Sequence, residues 1–425
     1  MTTSMTSSDS YSEFKRGWYI VLISALGLAC GLGAIPIYSL GVFTKPLGDS
    51  FGWSRAEVQG IYTWMTIGNL IAAPVVGWLI DNKGVRQVTL VSILGMSLGF
   101  AALGLLTGPL WSFYVIAFFT AIIGVGTTPI TYTRLIIDWF DVSRGKALGI
   151  TLAGTGVTAT FLPSYASWLI ETYDWRIAYL GLAALPALLA FPVSYLFLHD
   201  REKIEKAQSE TKTDRTKTKK VPENSHEIMK EPIFREVLKD YKFWAMNISF
   251  MLVGVCIAGC ISHLVPMLTD RNVAPREAAQ IAGTIGVSVI VGRLGTGYLI
   301  DRFWAPGVAL CILTLPAISC LILASGYGGI DGAVFAAILI GLAAGAEFDL
   351  MSFLVSKYFG QKKYGIIYSC LYAAFKISAG IGAPLFGYSF DVTGSYDIIL
   401  YAASISLILG SLILLTLGPY RNIYK

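Results

Sequence analysis

Uninterrupted apolar runs of eighteen residues or more recur from one end of this chain to the other. A soluble core has no use for such runs, whereas each of them is long enough to cross a ~30 Å hydrocarbon layer as a helix. Inside lipid every backbone N–H and C=O needs a partner within the protein, and a helix supplies those partners from its own segment. The runs predict spans at roughly 18–44, 56–80, 86–107, 111–137, 147–170 and 176–198. Six more follow at 243–268, 278–300, 306–326, 332–356, 365–390 and 396–417. Charged residues make up 14% of the chain, far below the soluble average of about 25%, which points the same way. The 44 glycines suit helices that approach closely in a membrane. The expected fold class is an all-α membrane protein with twelve transmembrane helices in two pseudo-symmetric six-helix bundles.

The expected organisation is a cytoplasmic tail at 1–17, a first bundle at 18–198, a central loop at 199–242, a second bundle at 243–417 and a short tail at 418–425. The start, Met1 to Lys15, is polar, which argues against a cleavable signal peptide. The central loop is highly charged and lacks apolar periodicity, so it reads as disordered, with an interfacial helix from Pro232. With the N-terminus inside, the inner loops and tails carry twelve Lys and Arg residues, including Lys83, Arg86, Arg144 and Lys363. The outer loops carry only five: Lys45, Arg55, Arg176, Arg271 and Arg276. The positive-inside rule therefore puts both termini and the central loop in the cytoplasm of a multi-pass cell-membrane protein, at the inner membrane if the chain is bacterial. The same rule explains the net charge of +5 without nucleic acid. All six cysteines fall in apolar segments, where cysteine acts as a small hydrophobe, so no disulfide framework is expected. Cys256 and Cys260 share a helical face but lack metal-spaced partners. No metal or cofactor is expected. Neither a Walker loop nor a nucleophile–base–oxyanion set can be placed, so neither ATP drive nor enzymatic chemistry is expected.

The two halves repeat. Gly77-Trp78-Leu79-Ile80-Asp81 returns as Gly297-Tyr298-Leu299-Ile300-Asp301, offset by 220 residues, and Gly145 returns as Gly365. Repeats of this size point to a transporter whose site lies between the halves near the midplane. Residues 77–90 (GWLIDNKGVRQVTL) resemble the loop-two signature of the major facilitator superfamily. That resemblance implies the major facilitator fold and a conformational, gating role for Gly77, Asp81, Arg86, Gly297 and Asp301. Gly77 would permit close helix packing, Asp81 would cap the next helix, and Arg86 would offer a charge partner.

A finer resemblance is to the monocarboxylate transporters and the oxalate/formate antiporters. Trp139-Phe140, Arg144, Ala147, Gly149, Ala153 and Gly154 look like the monocarboxylate signature entering the fifth span, and Arg16-Gly17-Trp18-Tyr19 echoes the opening motif without its acidic residue. In the antiporters an Arg of the eighth span and a Lys of the eleventh bind the substrate. Arg293 and Lys376 stand in the matching spans here.

A charge at the bilayer centre costs ~2.5–3.5 kcal/mol on insertion scales and needs a partner or a watery cavity. Five such residues occur: Arg134, Arg293, Glu347, Asp349 and Lys376. At ~1.5 Å per residue, Lys376 lies ~16 Å from its span end, Asp349 ~15 Å with Glu347 slightly deeper, Arg293 ~12 Å and Arg134 ~9 Å. Three cations facing two carboxylates leave one positive charge for an anionic ligand. Arginine offers a bidentate fork for a carboxylate and lysine a compact charge. Glu347 and Asp349, two apart, point about 200° away from each other. One of them therefore pairs with a neighbouring helix and the other meets the cavity, where a carboxylate taken out of water is a candidate proton carrier; which does which is left open.

Arg134 has two readings, an i,i+4 pair with Asp138 or part of a polar strip with Thr127 and Thr131. His263 either joins ligand binding and proton coupling or serves a structural role near the outer end. Tyr132, Tyr368 and Tyr372 can donate a hydroxyl to a carboxylate or act as packing anchors. Pro129, Pro163, Pro266 and Pro384 are expected to kink their helices. The favoured reading is a proton-coupled secondary transporter for a small, monocarboxylate-like organic anion. Arg293, Lys376, Arg134, Tyr372 and His263 bind the substrate, and Glu347 or Asp349 takes the proton. Rival readings are uptake of a larger aromatic acid or vitamin, anion exchange or drug efflux, and a sensor that binds without transport.

Overall fold

The computed structural model describes residues 7–140, 143–198 and 237–420. Among these there is no strand, and eleven helices are long and apolar enough to cross a membrane. The twelfth crossing is split. A helix at Ser7–Ala29 gives way at 30–34 and resumes at Ile35–Phe51. The remaining crossings of the first half are Arg55–Lys83, Val85–Gly104, Leu110–Trp139, Gly145–Thr172 and Trp175–Phe197. Those of the second half are Tyr241–Thr269, Pro275–Arg302, Ala305–Ser325, Gly329–Phe359, Tyr364–Thr393 and Asp397–Leu415. They correspond one for one to the apolar runs of the sequence, so the fold is the expected all-α membrane architecture of two six-helix bundles.

The ends and interruptions differ from expectation in informative ways. The first helix begins at Ser7, inside the stretch assigned to a polar tail, and its break at 30–34 lies in a run expected to be continuous. The fourth span breaks as well, through a 3-10 turn at Val125–Thr127 ahead of the helix Pro129–Trp139. The two breaks lie against each other. The Leu32 N–H donates to Thr127 Oγ1 at 3.0 Å, and a Cβ on Gly31 would stand 2.3 Å from the Thr127 carbonyl oxygen. Backbone freed inside the bundle is thus satisfied by the neighbouring span, as a membrane interior demands. Of the four prolines expected to kink their helices, Pro129 sits at the start of a helix, and Pro163, Pro266 and Pro384 lie inside helices that run on without interruption. The sixth span carries a π turn at Pro186–Ala190, and the ninth is interrupted at Thr314. Most of the central stretch 199–242, with the interfacial helix expected from Pro232, lies outside the described residues.

Each half has its own apolar core, and Val42 of the first half joins that of the second. The halves meet where Ile35–Phe51 packs on the seventh span, the second span on the eleventh, and the fifth on the eighth. The close approaches between halves at glycine lie in the half of the bundle away from the termini. Gly41 approaches Ser262, Gly387 approaches Arg55 and Ala56, Gly380 approaches Thr66, and Gly286 approaches Gly156 and Thr160. Towards the termini, a Cβ on Gly77, Gly145, Gly297 or Gly365 of the same helices would meet nothing within 4 Å.

Candidate functional site

A cavity of about 220 Å³ lies between the halves at mid-depth. The first half contributes Tyr38, Tyr62, Thr66 and Asn69 to its wall, polar but uncharged. Every charged residue on the wall comes from the second half: Arg293, Glu347 and Lys376.

Close backbone packing brings these charges together. A Cβ on Gly292 would stand 2.2 Å from the Leu342 carbonyl oxygen, and one on Gly345 2.1 Å from that of Val289 and 2.9 Å from the Arg293 nitrogen. Only glycine permits the eighth and tenth spans to meet this closely. The contact sets Arg293 beside Glu347, two residues beyond Gly345. Gly382 does the same for the seventh and eleventh spans, its Cβ position 2.2 Å from the Val255 carbonyl oxygen, and Lys376 lies under two turns away.

Glu347 and Asp349 divide as their 200° separation requires. Glu347 lines the cavity at 6% exposure, within electrostatic reach of both Lys376 and Arg293. Asp349 is absent from the wall and pairs with Arg293 at 3.6 Å. The pairing is loose. Arg293 Nε and Nη1 and Glu347 Oε2 are buried with no hydrogen-bond partner. Lys376 has none among the described residues; its Nζ stands 5.5 Å from the Tyr372 ring centre and 6.0 Å from that of Phe348. Buried polar atoms are rarely left unsatisfied, so a guanidinium only loosely ion-paired and without hydrogen bonds, an ammonium and a carboxylate oxygen around one cavity form a site prepared for a polar ligand.

Other residues singled out in the sequence fall elsewhere. Arg134 lies off the cavity wall and pairs with Asp138 at 3.5 Å, both more than a third exposed. Tyr132 is fully buried, with its hydroxyl against Gly27 of the first span. Gly77 and Gly297 meet no neighbour: a Cβ on either would find nothing within 4 Å. The close packing expected at Gly77 is therefore absent from this structure. Asp81 and Asp301 make no hydrogen bond or ion pair among the described residues. Arg86 reaches the Tyr195 carbonyl at 2.8 Å.

His263 lies in a seal on the side away from the termini, which sequence reasoning missed. Arg55 forks onto the Asp270 carboxylate at 2.6 and 2.7 Å, donates to Tyr396 Oη at 2.7 Å and lies 3.6 Å over the Phe390 ring. Asp391 accepts the backbone N–H groups of Arg55 and Ala56 at 3.0 and 2.8 Å. His263 is fully buried behind this cluster, with Nε2 2.8 Å from the Ala383 carbonyl and Nδ1 2.9 Å from Tyr396 Oη. A carbonyl only accepts, so Nε2 carries the proton and Nδ1 accepts from the tyrosine. The network ties the start of the second span to the ends of the seventh, eleventh and twelfth. Its charged members lie close to three outer loops far apart in the chain, a signal that reads individually as topology. Tyr62, Thr66 and Asn69, also missed, recur at helical spacing on one face of an otherwise apolar run.

Comparison with known proteins agrees with this architecture. The model of the Major Facilitator Superfamily matches residues 17–383. The chain is 23% identical to monocarboxylate transporter 13 of Rattus norvegicus over 422 residues, covering 95% of this chain and 89% of that protein. It is 21% identical to the cis,cis-muconate transport protein of Acinetobacter baylyi over 385 residues, covering 87% of each. The solved structure of a D-xylose–proton symporter superposes with a TM-score of 0.72 at 15% identity, over 95% of this chain and 98% of that one. With the matching model spanning most of the chain and the twelve-helix fold in common, the protein belongs to the Major Facilitator Superfamily of transporters.

Proposed function

We propose that this protein is a proton-coupled secondary transporter of a small organic anion, working by alternating access in the cell membrane with both termini in the cytoplasm. The observation that carries the reading is the convergence of Arg293, Lys376 and Glu347 on a cavity whose other wall is uncharged. The names of the monocarboxylate and muconate carriers among its relatives support an anionic substrate. The excess of Lys and Arg in inner loops supports the orientation.

In this reading Glu347 and the substrate carboxylate compete for the same two cations. With Glu347 ionised, Arg293 and Lys376 are balanced by Glu347 and Asp349, and no charge is left for a ligand. A proton on Glu347 frees one positive charge, and a single carboxylate restores neutrality. Arg293 supplies the fork and Lys376 the opposing charge, while Tyr372 lies beside the lysine.

Purified protein tested by thermal stabilisation against small carboxylates, neutral vitamins and cationic drugs checks the substrate class. Stabilisation by carboxylates is expected, and stabilisation by neutral or cationic compounds alone would refute the anion reading. Arg293→Gln is expected to weaken anion binding by at least about 30-fold, since losing one partner of a buried charge contact costs ~2–5 kcal/mol. A folded variant that binds normally would reduce Arg293 to a structural partner of Asp349.

The Arg55 network serves in this cycle as the seal on the outer side. Breaking charge-assisted hydrogen bonds worth about 1.5–3 kcal/mol each shifts the closed–open balance by roughly ten- to a hundredfold. Arg55→Gln should therefore raise the rate at which a bulky impermeant thiol reagent, added from the outer side, labels a Thr66→Cys variant in a background without native cysteines. An unchanged rate would mean that the seal rests on the helix packing around it.

A further inference from the structure

We propose that the anion carried is planar and conjugated, an aromatic carboxylate of a single ring in the simplest case; this rests on the anion reading of the same cavity. The eleventh span places Tyr364, Tyr368, Tyr372 and Lys376 at four-residue intervals, hence on one face one turn apart. Their rings form a ladder. Tyr364 and Tyr368 stack at 5.5 Å with 9° between planes, and Tyr368 and Tyr372 at 6.2 Å with 26°. Tyr364, at the end nearer the termini, is anchored by its hydroxyl to Ser352 Oγ at 2.8 Å. The next two rungs and Lys376 line the cavity. Phe348 continues the aromatic wall, 5.7 Å from Tyr372 and 5.1 Å from Phe375.

A ladder that served packing alone would be shut inside the bundle. Here Tyr368 and Tyr372 are half-buried, open to the cavity, and their hydroxyls have no partner among the described residues. Aromatic faces prefer offset or edge-on contact with another π system, and a saturated acid cannot supply one. The wall ends at the ammonium group, so a ligand whose carboxylate meets Lys376 and Arg293 lays its conjugated body along Tyr372 and Phe348. The cavity, at about 220 Å³, is smaller than the ~300–1,000 Å³ of sites for drug-sized ligands, which favours one ring over several.

Benzoate against cyclohexanecarboxylate is a direct test, because the two match in charge and approximate size and differ in the π system. Benzoate is expected to bind the full-length protein about 5- to 10-fold more tightly, from one or two aromatic contacts. In Tyr372→Leu, and separately in Phe348→Leu, the ratio should fall towards one because the aromatic acid loses more; the melting profile without ligand reports whether each variant is folded. Equal binding of the two acids to the wild-type protein would overturn the inference and leave the anion reading intact. Binding of short aliphatic acids but of neither ring acid would do the same. If no carboxylate binds, both fall together.

Discussion

Gly297→Trp and Gly145→Trp will each abolish most transport while leaving ligand binding in place. In this structure a Cβ at Gly77, Gly145, Gly297 or Gly365 meets nothing within 4 Å, so a side chain can leave the backbone at each without a clash. The faces that carry these glycines are nonetheless the faces that join the two halves. Eleven residues make about three helical turns, so positions eleven apart share a face. Gly145 lies eleven before Gly156, and Gly297 eleven after Gly286. Gly156 and Gly286 are in contact across the halves, a Cβ on Gly286 falling 2.4 Å from the Gly156 carbonyl oxygen. Gly77 lies eleven after Thr66, which touches Gly380 of the eleventh span, and Gly365 lies eleven before Lys376. If the halves rock about their mid-depth contacts, Gly145 approaches Gly297 and Gly77 approaches Gly365. The 220-residue repeat exchanges these pairs, since it relates Gly77 to Gly297 and Gly145 to Gly365. Two symmetric backbone contacts thus await the closed state. Overpacking of about 1–3 kcal/mol in one conformer lowers its population by roughly 5- to 150-fold. Uptake into proteoliposomes should fall at least tenfold, with anion-induced thermal stabilisation retained. Wild-type transport by either tryptophan variant would show that the halves do not close along these faces.

Much of this arrangement is legible in the sequence, because membrane insertion writes helices as apolar runs, and the repeat pairs their ends. The buried charges were legible for the same reason: Arg293, Lys376 and Glu347 are too costly in lipid to lack a watery or paired destination. What escaped reading depends on contacts between segments far apart. Gly31, Gly33 and Pro36 stand in and just after the break at 30–34, but its stability rests on Thr127, ninety-five residues away, which supplies an acceptor. Arg55 reads as an ordinary outer-loop charge until folding sets it on Asp270, 215 residues on. His263 has the chemistry of a coupling residue, but Tyr396 and Ala383 occupy both ring nitrogens. Arg134 is deep enough to suggest a site, yet four residues along its own helix Asp138 answers it locally. The choice between Glu347 and Asp349 was undetermined because helical phase fixes their divergence but not which direction is the cavity.

Glu347→Gln will separate exchange from uphill uptake. Glutamine has the shape and neutrality of a protonated glutamate, so it leaves Arg293 and Lys376 with the single positive charge that a carboxylate needs, at any pH. Anion binding should then lose its dependence on pH, and anion–anion exchange across the membrane should persist. Uptake driven by a pH gradient should not. A carrier that moves one proton with each monoanion is electroneutral and accumulates substrate about tenfold per unit of pH difference, because one pH unit is worth 1.36 kcal/mol. The wild-type protein should approach that ratio in proteoliposomes that are acidic outside, and Glu347→Gln should equilibrate near onefold. Asp349→Asn offers the contrast. It removes the partner of Arg293 from behind the wall, so it should change affinity while leaving accumulation coupled. If Glu347→Gln still concentrates substrate down a pH gradient, the proton travels on another group, and the competition between Glu347 and the substrate carboxylate is not the coupling step.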